Sequence, residues 1–355
     1  MTLRKTLILV SLVWVVAISG FHLALNLPKI STWFQKDSEK KMRIGFLPVT
    51  CHLTCPVTDF VNRQMTGKGM FEPLKFSGWP ELKETFLKGD TRATFILAPM
   101  AIALREQGVK MKIVYLGHRD GTALVVHKDS DIRSIADLRG KTVAVPNRYS
   151  NQRLLIFRAL NDAGMSIKDI NLIEMPPPDM PAALYSKSVD AVTSGEPFMG
   201  QCELDGYGRV LYLTKDIWPN FISCVLAVHE DEIRDHPERV QALVSGIADS
   251  GMWLEENMEN RMAAAQFVSK RYYNQNPRLL EFVLSKPPDR VTYGDLSLQR
   301  DNFAEIEKLG KQSGILEGTV SFDDYVDTRF GDAVEKSKKP YAYPAKRALS
   351  DLESK

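Results

Sequence analysis

Cys51, His52 and Cys55 share one short stretch, GFLPVTCHLTCPVTDF, at residues 45–60. Two thiols beside an imidazole could hold a metal, attach a haem or form an activated nucleophile. A structural zinc site takes four ligands, usually as two spaced pairs, and this stretch has a single C-x₃-C. Haem attachment needs C-x-x-C-H, and the order here differs. An adjacent histidine is poorly placed as base for a cysteine nucleophile, because neighbours on a loop rarely face each other. A disulfide, local or between elements, is an alternative. The favoured reading makes Thr50, Cys51 and His52 the lining of a cleft, offering polar handles to a ligand, with no metal and no catalytic residue.

Other clusters carry the same kind of chemistry. Ser77-Gly78-Trp79 precedes Pro80 at a helix start, so free N–H groups and an indole can meet a ligand, although Trp79 can equally serve as packing. Pro99 and Met100 follow the apolar run ATFILAP, where an α/β sheet presents side chains to a crevice; Met is also ordinary core filler. His118, Arg119 and Gly121 offer counter-charge for an anion and close backbone approach, against the alternative of a solvated charged face. Asn147, Arg148, Tyr149 and Ser150 combine a helix N-cap with a cation and a phenol; the alternative leaves Arg148 in solvent. Gly195 and Glu196 add a carboxylate able to bind an amine or water, or to orient Arg148.

The elements that must position these residues follow one grammar, used twice. Met42–Leu47 is a short apolar strand running into a Pro- and Thr-bearing loop and a helix. Lys141–Val145 is another, followed by PNRYS and the helix NQRLLIFRALNDAG, closed at Gly164. Each half continues with a helix bearing Pro in its first turn, at Pro80 and Pro181, and then a strand, ATFILAP or DAVTSGEP. Strands alternating with helices predict parallel sheet of α/β type, in two similar lobes. Beyond about residue 235 the pattern becomes helical: Val240, Leu243, Val244 and Ile247 form a buried stripe, with further helices near 258–273, 277–285 and 296–310. The last 25 residues, 331–355, are rich in Lys, Ser and Pro and predict a flexible tail.

At 355 residues the chain has room for two domains, and its net charge of +2 with no long basic run argues against a nucleic-acid partner. Arg4 and Lys5 precede the apolar run Leu7–Leu25, the pattern of a signal peptide or a retained transmembrane anchor over residues 1–27. An anchor is slightly favoured, because His22 and Asn26 suit the interface. Either outcome places the rest of the chain outside the cytoplasm. Four cysteines in a chain this long do not make a disulfide scaffold.

In their order, ELKETFLKGDTRATFILAPMAIALREQG, DLRGKTVAVPNRYSNQRLL, SVDAVTSGEPF and SFDDYVDTRF resemble the periplasmic substrate-binding proteins of ABC importers for nitrate, bicarbonate, taurine and alkyl sulfonates. The resemblance spans Met42 to about Phe330. It implies the two-lobed periplasmic-binding-protein fold (type II), with lobes joined by strands crossing near Thr122–His127 and Cys224–His229. The implied division is a linker at 28–41, lobe one at 42–125, lobe two at 126–225, and a return to lobe one with C-terminal helices at 226–330. Cys202 and Cys224 would then both lie on lobe two, away from Cys51. The implied function is capture of a small polar or anionic solute on the periplasmic side of the cytoplasmic membrane. Delivery would be to an ABC permease by hinge closure, by a monomer needing no cofactor. CHLTC matches no ligand-specific pattern, so ligand identity does not carry over. Alternatives are an enzyme on the same fold, similar to thiamine-pyrimidine synthases, and a membrane-tethered ligand sensor.

Overall fold

A computed structural model describes residues 3–31 and 41–336. The chain forms two units, residues 1–41 and 42–355. In the first, a helix Leu3–Ser31 carries an apolar stretch, Arg4–Leu25, of 22 residues with mean hydropathy 2.3 and no burial. At 1.5 Å per residue this stretch is about 33 Å long, enough to cross a hydrocarbon layer of about 30 Å. The helix continues through Pro28 to Ser31, into the segment expected to be a tether; residues 32–40 and 337–355 lie outside the described residues.

The second unit holds two sheets. The first has the order β11-β4-β10-β3-β1-β2, from β1 (Arg43–Phe46), β2 (Glu72–Lys75), β3 (Ala93–Ile96), β4 (Met111–Asp120), β10 (Ile222–His229) and β11 (Val291–Thr292). The second has the order β7-β6-β8-β5-β9, from β5 (Thr122–His127), β6 (Thr142–Val145), β7 (Asn171–Glu174), β8 (Ala191–Gly195) and β9 (Gly208–Leu213). In each sheet a parallel trio is extended by antiparallel strands: β2-β1-β3 is joined by β10, and β7-β6-β8 by β5. β3 and β8 are buried along their whole length, as strands covered on both faces must be, which explains their unbroken runs of small and apolar residues.

The chain passes from the first sheet to the second through Asp120 and Gly121, both left-handed with φ of 59° and 64°. A Cβ on Gly121 would stand 2.8 Å from Cε1 of His118, so both backbone and packing require glycine there. This compact turn makes the passage, and β5 is already a strand of the second sheet. The return is likewise complete before β10, which belongs to the first. Cys224, in β10, is therefore on the same lobe as Cys51, and the expectation that it lies on lobe two is overturned.

Smaller differences follow from local chemistry. The strand ahead of Pro99 ends at Ile96, because Pro99 fits the first turn of the helix Ala98–Glu106. The last expected helix starts at Arg300, later than expected. A helix Arg329–Lys336 occupies the start of the expected tail, with Phe330 buried in the core.

Candidate ligand-binding cleft

Trp79 opens the helix Trp79–Leu87, with Pro80 in its first turn and extended Gly78 as its N-cap. Met100 lies in the first turn of Ala98–Glu106. Across from them stands the loop after β6. There Asn147 Oδ1 accepts the Tyr149 N–H at 2.8 Å, and Ser150 accepts the Arg153 N–H at 3.1 Å, capping the helix Asn151–Asp162. Between the two sheets' loops lies a cavity of about 210 Å³, bounded by Trp79, Pro80, Lys83 and Met100 on one side and Asn147, Arg148, Tyr149 and Glu174 on the other. The Arg148 guanidinium sits 5.0 Å from the Tyr149 ring centroid, a cation–π contact that holds it at the cavity wall. Lys83 and Arg148 face one carboxylate, Glu174, so the lining is net positive.

Deeper in, Thr50–His52 forms a single 3₁₀ turn, fully enclosed. The Leu47 N–H donates to His52 Nδ1 at 2.6 Å, so a neutral His52 ring carries its proton on Nε2. His52 Nε2 has no hydrogen-bond partner, and neither does the buried Nε1 of Trp79, whose ring meets that of His52 edge-on at 5.6 Å. An unspent N–H donor thus belongs to a cavity-wall residue, Trp79, and a second belongs to the enclosed His52 ring that packs against it. Each would cost about 1–3 kcal/mol if left unpaired, so the arrangement favours the arrival of an acceptor.

At the base of the cleft the lobes touch directly. The Thr50 N–H donates to the Glu196 carbonyl at 2.8 Å, and Thr50 Oγ1 lies 3.3 Å both from that carbonyl and from His118 Nε2. The Glu196 carboxylate pairs with Arg290 at 2.7 Å and accepts the Gly200 N–H at 2.6 Å, while Arg290 also reaches Glu203 at 2.9 Å. Burial drives the Glu196 carboxyl above its ordinary range, and the Arg290 charge and the Gly200 N–H only partly offset this.

Cys51 lies in the same turn, its carbonyl pressed against Gly117, where any Cβ would collide with it. The Cys224 thiol donates to Cys51 Sγ at 3.0 Å, and a ring nitrogen of His52 lies within 4.8 Å of both sulfurs. This trio fits a metal poorly: His52 Nδ1 is occupied by the Leu47 N–H, and Nε2 then bears the proton a metal would have to displace. Burial pushes the Cys51 thiol up, but the Cys224 S–H and the imidazoles of His52 and His118 outweigh it and hold the thiol well below its usual value. Cys224 is pushed up by burial and by its neighbour, so of the two Cys51 is the more readily ionised. Cys55 is raised by burial and Asp59, and Cys202 by burial to about 11, which disfavours the thiolate at both.

The cleft thus gathers Trp79, Met100, Asn147, Arg148 and Tyr149 at the cavity, Ser150 as a cap beneath it, and Thr50, Cys51, His52, His118, Gly121, Gly195 and Glu196 in the enclosed interior. Pro99 is buried within its helix turn and Gly78 is half-buried, while Ser77 is exposed and outside the cavity lining. Arg119 is not an anion's counter-charge. Its guanidinium is spent on the carbonyls of Asp295, Asn220 and Ser297 and on Asn302 Oδ1, tying β4 to the C-terminal segment. Glu196 does not orient Arg148; it is committed to Arg290. Lys83, Glu174 and Arg290 were missed by sequence reasoning. Lys83 carried a signal, standing one helical turn after Trp79 on the same face.

Two α/β lobes of this topology, with a polar cleft between their loops, define the periplasmic-binding-protein fold. The ligand-binding component of an ABC-type import system from Staphylococcus aureus, solved with zinc bound, superposes with a TM-score of 0.75, covering 85% of this chain and all of that one at 23% identity. The chain belongs to the NMT1-like family, whose model matches residues 35–269. Among curated relatives, the nitrate/nitrite binding protein NrtA of a Nostoc species is 23% identical over 312 residues, 81% of this chain and 68% of that protein. The fold is shared by an enzyme as well: the desulfurization enzyme DszB aligns with a TM-score of 0.61 over 85% of this chain and all of its own, at 17% identity.

Proposed function

We propose that this protein is an extracytoplasmic solute-binding protein that captures a small oxyanion, of the nitrate, bicarbonate or sulfonate class, and presents it to an ABC permease. The observation that carries the reading is the unspent buried donor Trp79 Nε1 on a residue of the cavity wall, backed by the unspent His52 Nε2 of the ring packed against it, where the same lining holds Lys83 and Arg148. Donors without acceptors and a net positive wall suit a ligand made of acceptor oxygens. A cavity of about 210 Å³ limits the ligand to a few heavy atoms, or to a small head group with its substituent directed outward. Binding is by closure of the lobes, with contacts from both sides of the cleft, by a monomer and without turnover. The apolar helix at Arg4–Leu25 supports export, as a signal or as a tether.

Calorimetric titration and thermal shift across nitrate, bicarbonate, taurine, alkyl sulfonates and pyrimidines test this. One oxyanion should bind with one-to-one stoichiometry and raise the melting temperature. Selective binding of a pyrimidine instead would overturn the assignment. Among the described residues, the Cys51 thiol, held below its usual value, is a feature that favours an enzyme, and the desulfurization enzyme DszB shares the fold. Recovery of the bound solute unchanged after prolonged incubation separates the two readings.

A further inference from the structure

We propose that Cys51 and Cys224 are a redox pair that closes into a disulfide, fastening the ligand-facing turn to the central strand of its own lobe. The two sulfurs meet at 3.0 Å although their residues are 173 apart in sequence, and both side chains are enclosed. Bond formation needs an approach of about 1 Å, to the roughly 2.05 Å of an S–S bond, which side-chain rotation on the two elements can supply. β10 is irregular at this point, with register shifts against β4 on either side of Cys224, so the strand there is not locked into a regular ladder.

The step is thiol–disulfide exchange with a small or protein disulfide as the oxidant. Cys51 Sγ attacks one sulfur of the donor, forming a mixed disulfide and releasing the other donor sulfur as a thiolate. Cys224 passes its proton to that thiolate, and its sulfur attacks Cys51 Sγ, expelling the second donor sulfur. The protein loses two electrons, the donor gains them, and two donor thiols leave once protonated. The order of attack follows the environment: Cys51 is the more readily ionised thiol of the touching pair, while burial disfavours ionisation of Cys55 and Cys202. Access is set by the lobes. Thr50, next to Cys51, bonds to Glu196, which directly follows β8 of the second sheet, so the turn is held where the lobes meet.

The test uses the full chain, reduced, then incubated at neutral pH with oxidised glutathione, alkylated in denaturant and digested without reductant. The expected result is a loss of two alkylated thiols per chain and a linked peptide joining Cys51 to Cys224, reversed by dithiothreitol. Cys51→Ser and Cys224→Ser should each abolish the linked peptide, whereas Cys55→Ser should leave it. Four alkylated thiols in the oxidised wild-type protein would overturn the proposal. So would a link through Cys55 or Cys202, or one zinc per chain that shields both thiols from oxidation. The wild-type measurement stands alone should a variant fold poorly.

Discussion

Arg119 and Arg148 look alike in sequence, each in a polar loop at the edge of a strand, yet their environments are opposite. Arg119 is consumed by backbone carbonyls, while Arg148 lies over Tyr149 at the cavity with its charge available. Replacing Arg148 or Tyr149 by alanine should weaken solute binding in calorimetric titration. Losing a hydrogen bond to a charged group costs about 1.5–3 kcal/mol, roughly ten- to a hundredfold in affinity. Wild-type affinity in both variants would remove this loop from the site. A different outcome is expected at Arg290, which neutralises the enclosed Glu196. Arg290→Met strands a buried carboxylate, and chemical denaturation should show a loss of about 3–5 kcal/mol. A loss below about 1 kcal/mol would mean that water reaches Glu196 and that the base of the cleft is not dry.

At the scale of elements, the alternating strand–loop–helix order was legible because buried parallel strands must be continuously apolar and their helices need caps. ATFILAP and KTVAV announce themselves, and Ser150 caps its helix as its type suggests. The loops after β1 and β6 could be named as cleft walls for the same reason. What was not legible is long-range register. Nothing local in ISCVLAVH says that it returns antiparallel between β3 and β4, so the meeting of Cys224 with Cys51 was invisible, as was the pairing of Arg290 with Glu196. The helix Pro237–Glu256 shows a further limit: its apolar stripe was evident, but not that Asp249 is half-buried beside it. Burial raises the Asp249 carboxyl from its ordinary value to about 6. The folded state therefore prefers the protonated form. Its contribution is fully present below the unfolded value of about 3.9 and is lost as pH rises through about 6. Asp249→Asn should then stabilise the protein at pH 7.5 but not at pH 4, by about 1 kcal/mol once solvent screening of this partly open site is allowed for. Equal melting shifts at both pH values would contradict it.

For the whole molecule, the apolar helix and the two-lobed unit make separate predictions. Cell fractionation should find the full chain facing outward from the cytoplasmic membrane, tethered or released according to whether Arg4–Leu25 is retained. A reporter enzyme fused after residue 40 that works only in the cytoplasm would defeat this. The contact of Thr50 with Glu196 across the lobes has a consequence for timing. It is made by protein groups alone, so its formation asks nothing of a solute, and lobes held together in the free protein would have to part before a solute enters. A solute arriving from bulk then waits at a closed door, and its capture cannot be faster than the door swings. In rapid mixing, observed association rates should climb with solute concentration and level off at a ceiling shared by every solute that binds, because the ceiling belongs to the protein. Thr50→Pro, which deletes the N–H that holds the lobes together, should lift that ceiling; rates that keep rising linearly in the wild-type protein would mean the door stands open.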